Sequence, residues 1–266
     1  MKKKSLIAVI NQKGGVGKTT TVINLAASLS ILGHNNLIVD LDPQGNATTG
    51  LGRSNNDEEK NIYNLLIKKR SLSEVIQSTE VNNLDVIGSN VNLSGLEVET
   101  ANDTNRAFVL KQIFEQEKDL LSKYDNIFID CPPSLSLLTV MALVASEELL
   151  VPLQTEFFAL EGITQLVKTI DRIKINLNPD LKVRGILLTM FDKRNKLSTQ
   201  VDKEARNYFK EKVYETIIPR NVRLSEAPSH GLPCVIYDKS CLGSKSYLNL
   251  AEEFIKKKSS KIESAA

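Results

Sequence analysis

Residues 13–20 read KGGVGKTT, with three glycines, two lysines and two threonines in eight positions. Gly14, Gly15 and Gly17 let backbone N–H groups turn inward onto phosphate oxygens, with Val16 the one bulky residue among them. Lys18 is placed to reach the β- and γ-phosphates of a nucleoside triphosphate, and Thr19 offers a hydroxyl to Mg2+, with Thr20 closing the run. Lys13 is the unusual member, because such a loop normally needs only small residues there. Two further runs end in carboxylates. VDLD (39–42) sets Asp40 and Asp42 two residues apart, so that a strand would aim both at one face. IFID (127–130) ends on Asp130, an acid suited to holding Mg2+ through water.

The residue after Asp130 is Cys131, where many fast phosphate-loop ATPases carry a glutamate that activates water. His34 falls in GHNN and His230 in SHG, so neither is an evident general base. Asp42 is the best-placed group to orient a water. Hydrolysis would then rest on positioning and charge stabilisation, with a slow intrinsic rate.

Elements that could hold these groups alternate along the chain. Apolar runs at 5–10, 36–42, 84–89, 126–132, 148–153, 185–191 and 214–219 predict strands. Stretches at 18–33, 106–122, 135–146, 160–177, 197–212 and 245–257 predict helices. Most strand runs are continuously apolar, as in a sheet covered on both faces. The alternation predicts an α/β fold, a doubly wound, mostly parallel sheet with helices on both faces. Ligands of such sheets bind beyond the carboxyl ends of the strands, where Asn11–Lys13, Asp40, Asp42 and Asp130 all fall. The segment LGRSNNDEEKN (51–61) reads as a surface loop. One P-loop ATPase domain is expected over 1–266, with a core at about 5–255 and a basic tail at 256–266.

The 266 residues are 41% hydrophobic and 25% charged, which suits a soluble globular protein. Cys131, Cys234 and Cys241 form no CxxC pair, fit neither a disulfide framework nor a zinc site, and suggest a reducing cytoplasm. The start MKKK is no signal peptide and no run is long enough to span a bilayer. Net charge is only +2, but Asp180–Arg223 holds eleven Lys/Arg against six Asp/Glu. That asymmetry points to a basic face on the C-terminal third.

The motifs KGGVGKTT, DLDPQGNATTGLG (40–52), DCPPSLSLLT (130–139), QTEFFALEG (154–162) and IPRNVRLSEAPSHG (218–231), in this order, resemble the ParA/Soj chromosome- and plasmid-partitioning ATPases, a P-loop family with a deviant Walker A motif. The resemblance runs from residue 5 to about 255. It implies that Lys13 crosses to a partner subunit and touches its nucleotide, closing two subunits into an ATP-sandwich homodimer. Lys13, Lys18 and Asp42 would be the catalytic residues, Asp42 orienting water. Asp40 would lie near Mg2+ with Thr19 and Asp130, and Pro219 and Asn221 would contact adenine. The segment after Asp130 resembles switch II, with Ser136 where a glycine is expected.

The family also implies ATP-dependent binding to double-stranded DNA without sequence preference, a nucleoid location within the cytoplasm, and hydrolysis stimulated by a ParB-like partner. Arg194, Lys196, Lys203, Arg206, Arg220, Arg223 and Lys245 are the candidate phosphate contacts. A helix over 197–212 would put Lys203, Arg206 and Lys210 on one face. Two other readings share the fold. A membrane-cycling ATPase of the MinD type needs a C-terminal amphipathic helix. Here Leu248, Leu250, Ala251, Phe254 and Ile255 suit a packed face instead, so no stable membrane association is expected. Amidoligases and the nitrogenase iron protein form the other class, and a bridging cluster would need two cysteines near a dimer axis.

Overall fold

Alternate residues of the first strand go to opposite cores. Leu6, Ala8 and Ile10 join one buried cluster, and Ile7 and Val9 join the other. This is the strand period of two in a sheet with no wet face. The computed structural model describes residues 4–156 and 159–263. Its strands are β1 (Ser5–Val9), β2 (Asn36–Asp40), β3 (Ile76–Ser78), β4 (Leu84–Ile87), β5 (Asn126–Asp130), β6 (Glu148–Gln154) and β7 (Lys182–Thr189). They form one sheet in the order β3-β4-β2-β5-β1-β6-β7, parallel except for β3 at the edge.

Helices cover both faces. The Lys18–Ile31 helix and the final helix, Leu242–Glu263, pack together through Val22, Leu25, Leu29, Tyr247, Leu250 and Phe254 on one side. Leu110, Phe114, Met141, Leu166 and Ile170 cover the other. β1 lies between β5 and β6, so its outgoing chain opens the crevice where ligands of wound sheets bind. The register pairs both Val9 and Asp40 with Asp130, which brings the three strand ends level.

Several expected elements differ. The run 214–219 is not a strand but a segment beside β7, with isolated bridges at its two ends, Val213 with Ile186 and Pro219 with Phe191. Between them the N–H groups of Glu215 and Thr216 donate to the carboxylate of Glu253, 2.9 Å each, instead of to a ladder. The helix expected at 106–122 is broken into a 3-10 turn and two short helices, Val109–Gln116 and Lys118–Leu121. The antiparallel edge strand β3 has only three residues and gave too short a pattern to read.

The helix expected to reach 212 ends at Phe209. Lys210 takes φ 51°, so it does not continue the face of Lys203 and Arg206. Residues 256–263 of the expected tail continue the final helix. Phe157 and Phe158 of QTEFFALEG, and residues 264–266, lie outside the described residues.

Candidate functional site

The 13–20 loop leaves β1 and is pinned before it turns. Asn11 Nδ2 donates to Pro152 O on β6 at 2.7 Å, and Asn11 Oδ1 accepts from Lys13 N at 2.9 Å. Gly15 and Gly17 have φ +74° and +90°, left-handed values that a side chain would oppose. Gly17 is the cap of the Lys18–Ile31 helix, whose first N–H groups and dipole face the loop. Thr189 Oγ1, at the end of β7, donates to Val16 O at 2.8 Å and ties the loop to the sheet's other half.

Lys18 is buried and folds back to donate Nζ to Lys13 O at 3.2 Å. Burial lowers its pKa, against the pull of Asp130 and Asp42. Thr19 Oγ1 donates to Asp130 Oδ2 at 2.7 Å. Asp130 is fully buried, and its Oδ1 has no hydrogen-bond partner among the described residues. Burial, then the charge of Asp40, drive its pKa well up. A hydroxyl and a carboxylate with one orphaned oxygen are hard-oxygen donors suited to Mg2+, whereas Asp40, expected beside the metal, has both oxygens engaged within the protein.

Asp40 and Asp42 converge on the same place but do different work. β2 ends at Asp40, two residues before the expected end. Asp40 is fully buried and its oxygens are occupied within the protein. Oδ1 accepts from Asp42 N at 3.1 Å, and Oδ2 from Thr48 N and Oγ1 at 2.9 and 2.7 Å. Burial, opposed by these hydrogen bonds, sets its pKa at about 6. Asp40 thus anchors the backbone of Asp42 and the Asn46–Gly50 helix. Asp42 is 7% exposed and accepts from Gln44 N at 3.0 Å.

Beside Gly17 and Thr20 opens a cleft of about 90 Å³ walled by Met190, Pro219, Asn221 and Tyr247. Asn221 also caps the Val222–Glu226 helix, its Oδ1 accepting from Arg223 N at 2.9 Å. A larger cavity, about 480 Å³ and lined by Ile163, Ile170, Ile186 and Phe209, contains no residue of the phosphate loop.

Reading the sequence alone missed Thr48, Thr189, Met190 and Tyr247. Thr48 does sit inside DLDPQGNATTGLG, but the other three are ordinary residues whose relevance comes only from where the fold places them. It also missed Glu156, whose carboxylate forms an ion pair with Lys13. Glu156 does sit inside the quoted QTEFFALEG, which was the available signal.

The basic candidates divide. Arg194 is 90% exposed in its side chain and makes two bonds to Asp192, at 3.0 and 2.8 Å. Arg220 N donates to Phe191 O, so Arg220 stands beside this turn. Arg223 pairs with Glu226 and Asp238. Lys196, Lys203, Arg220 and Lys245 are exposed. Arg206 is half-buried and committed to Asp202 Oδ1 at 2.7 Å and Tyr214 O at 3.1 Å. In the final helix Leu250, Ala251 and Phe254 are buried with Leu248 and Ile255 packed beside them, as expected. Among the described residues no helix is long and apolar enough to cross a membrane.

Comparison with known proteins follows the same lines. A family profile described as an AAA domain matches residues 4–183. The chain is 50% identical over 248 residues to the sporulation initiation inhibitor protein Soj of Bacillus subtilis, covering 93% of this chain and 97% of that one. It is 51% identical over 252 residues to the chromosome partitioning protein ParA of Myxococcus xanthus, covering 95% and 88%. Among solved structures, cobyrinic acid a,c-diamide synthase of Mycobacterium smegmatis, with a bound ATP analogue and magnesium, superposes with a TM-score of 0.83 at 32% identity, covering 94% of this chain and 93% of that one. Residues 13–20, Asp40, Asp42 and Asp130 therefore stand in a chain that belongs to the ParA/Soj family of chromosome-partitioning ATPases.

Proposed function

We propose that this chain is a slow DNA-segregation ATPase working as a nucleotide-gated dimer. The observation that carries the reading is the division of labour between two lysines. Lys18 is buried in the cradle, whereas Lys13 lies exposed at its mouth, its backbone fixed by Asn11 and its side chain paired with Glu156. A cation held at that point can bridge to the phosphates of a second subunit, as an arginine finger would. Two subunits sharing their γ-phosphates in this way part when hydrolysis removes them.

Thr19 and Asp130 would hold Mg2+, which would neutralise charge on the β- and γ-phosphates. Asp42 orients the attacking water, and Asp40 supports it from behind. Pro219, Asn221 and Tyr247 take the adenine. Arg220 and Arg194, adjacent and exposed, lead the nonspecific contacts to duplex DNA on the nucleoid, with Lys196, Lys203, Arg223 and Lys245. A ParB-like DNA-bound partner stimulates hydrolysis.

Relatives near 50% identity named for chromosome partitioning favour this over a synthase or a membrane-cycling role. Light scattering of wild type and Lys13→Ala, with and without nonhydrolysable ATP, tests it. ATP-dependent doubling of mass in wild type alone supports the reading, and equal masses in both would sink it.

A further inference from the structure

Cys234 and Cys241 are seven residues apart and form no recognised motif, yet the fold brings their sulfurs to 3.5 Å. Cys234 opens the short Cys234–Tyr237 helix, is fully buried, and donates its N–H to Asn24 Oδ1 at 2.7 Å. Asn24 belongs to the phosphate-loop helix. Cys241 is half-exposed and immediately precedes the final helix. Its Sγ accepts from Ser244 N at 3.4 Å, and Ser244 Oγ lies 3.3 Å from each sulfur. The intervening turn is held by Asp238, whose Oδ1 accepts from Ser240 N, Ser240 Oγ and Cys241 N.

Packing alone does not account for this arrangement. A helix-capping position favours Ser, Thr, Asp or Asn, and a thiol is a weaker acceptor there. The sulfur of a half-exposed cysteine facing that of a buried one across van der Waals distance is the geometry from which a disulfide closes with a small rotation.

We propose that Cys234 and Cys241 form an oxidisable dithiol, a modification site whose reagent is a hydroperoxide. Cys241, the half-exposed residue of the pair, attacks the peroxide as its thiolate. An S–O bond forms, the O–O bond breaks, and the alcohol or water leaves with the thiol's proton. The Cys234 sulfur then attacks the sulfenic sulfur. The S–S bond forms, the S–O bond breaks, and water carries off the Cys234 proton. Two thiols and one hydroperoxide give one disulfide, one water and one alcohol, or a second water from hydrogen peroxide. Burial pushes the Cys234 thiol up to about 12, so Cys241 and not Cys234 is the sulfur that meets the peroxide.

Both ends of the cross-link bear on the phosphate-loop helix. Cys234 holds Asn24 through its backbone. Cys241 starts the helix that carries Tyr247, whose hydroxyl lies 3.1 Å from Thr21 Oγ1 and whose ring walls the small cleft. Drawing the sulfurs to bonding distance, about 2 Å, shifts that helix start. The disulfide therefore weakens nucleotide binding. This second part rests on the nucleotide reading above; the cross-link itself does not.

The test uses reduced full-length protein treated with hydrogen peroxide, then alkylated, digested with trypsin and weighed. Cleavage after Lys239 and Lys245 puts the two cysteines in separate peptides, 224–239 and 240–245, so a disulfide joins them. The expected product is that linked pair, two hydrogens lighter than the sum, lost on reduction and absent from Cys241→Ser, in which serine keeps the cap. Both cysteines recovered alkylated, or Cys241 over-oxidised with Cys234 free, would overturn the dithiol. A fluorescent ATP analogue provides the second readout. At least a threefold loss of affinity in the oxidised wild type, reversed by dithiothreitol and absent in Cys241→Ser, is expected. Unchanged affinity with the cross-link formed would overturn the coupling alone, and no binding in either redox state would overturn the nucleotide reading alone.

Discussion

Lys13 pairs with Glu156 across the mouth of the phosphate loop while its own carbonyl accepts a hydrogen bond from Lys18. The backbone of residue 13 thus serves the loop, and its ammonium pairs with an acid two residues beyond the end of β6. Their side chains are 51% and 32% exposed, and such pairs contribute about 0–1 kcal/mol, so release is easy. Lys13→Ala is expected to melt within about 1 kcal/mol of wild type and to bind ATP as a monomer. ATP-dependent dimers and hydrolysis should be lost. Calorimetry, light scattering and phosphate release check the three parts separately.

Asp42 lies beyond the end of β2 with its backbone held by Asp40, so removing its carboxylate leaves the support standing. Asp42→Ala should fold normally, bind ATP and accumulate as a DNA-bound dimer. Hydrolysis should fall by about 100-fold or more, the usual scale for a lost positioning or proton-handling group. Normal phosphate release by this variant would remove Asp42 from the role assigned to it.

The Asp40–Asp130 pair makes the ligand-free protein pH-sensitive. Burial raises both pKa values, that of Asp40 to about 6. Between its ordinary value and about 6 the folded state holds the extra proton, so stability falls as pH rises through that window. Asp130→Asn removes one of the two charges. Its melting temperature without ligand at pH 7.5 should rise on the order of 2–4 °C, while the stabilisation added by Mg2+ and ATP should disappear. Thermal denaturation with and without ligand reads both.

Arg220 and Arg206 should separate in experiment although both looked alike as surface cations. Arg220→Glu should remain a nucleotide-dependent dimer and lose DNA, and Arg220→Ala should lower the salt dependence of binding by about one ion. Arg206→Ala removes bonds to Asp202 and Tyr214 O. It should instead cost about 1–3 kcal/mol of stability, read by denaturant titration.

Tyr247 is fully buried with its hydroxyl on Thr21. Tyr247→Phe should cost about 1 kcal/mol in stability and weaken ATP binding severalfold, measured by the same fluorescent analogue.

What the sequence determined by itself is whatever depends on local order: the glycine loop between an apolar strand and a helix, and the carboxylates that end apolar runs. It also set the strand alternation that requires a wound sheet. These follow from backbone sterics and side-chain periodicity, which act over a few residues. The tertiary structure alone decided which polar groups meet. The register of β2 on β5 makes Asp40 and Asp130 neighbours. Glu253, from the final helix, diverts two N–H groups and turns an expected strand into an edge segment. Thr189, Tyr247 and Glu156 reach the loop from positions more than a hundred residues away, and Cys234 finds Cys241 across a turn. The long-range contacts are set by how layers pack, so no short stretch of residues carries them, and the two cysteines meet only because Asp238 holds the turn between them.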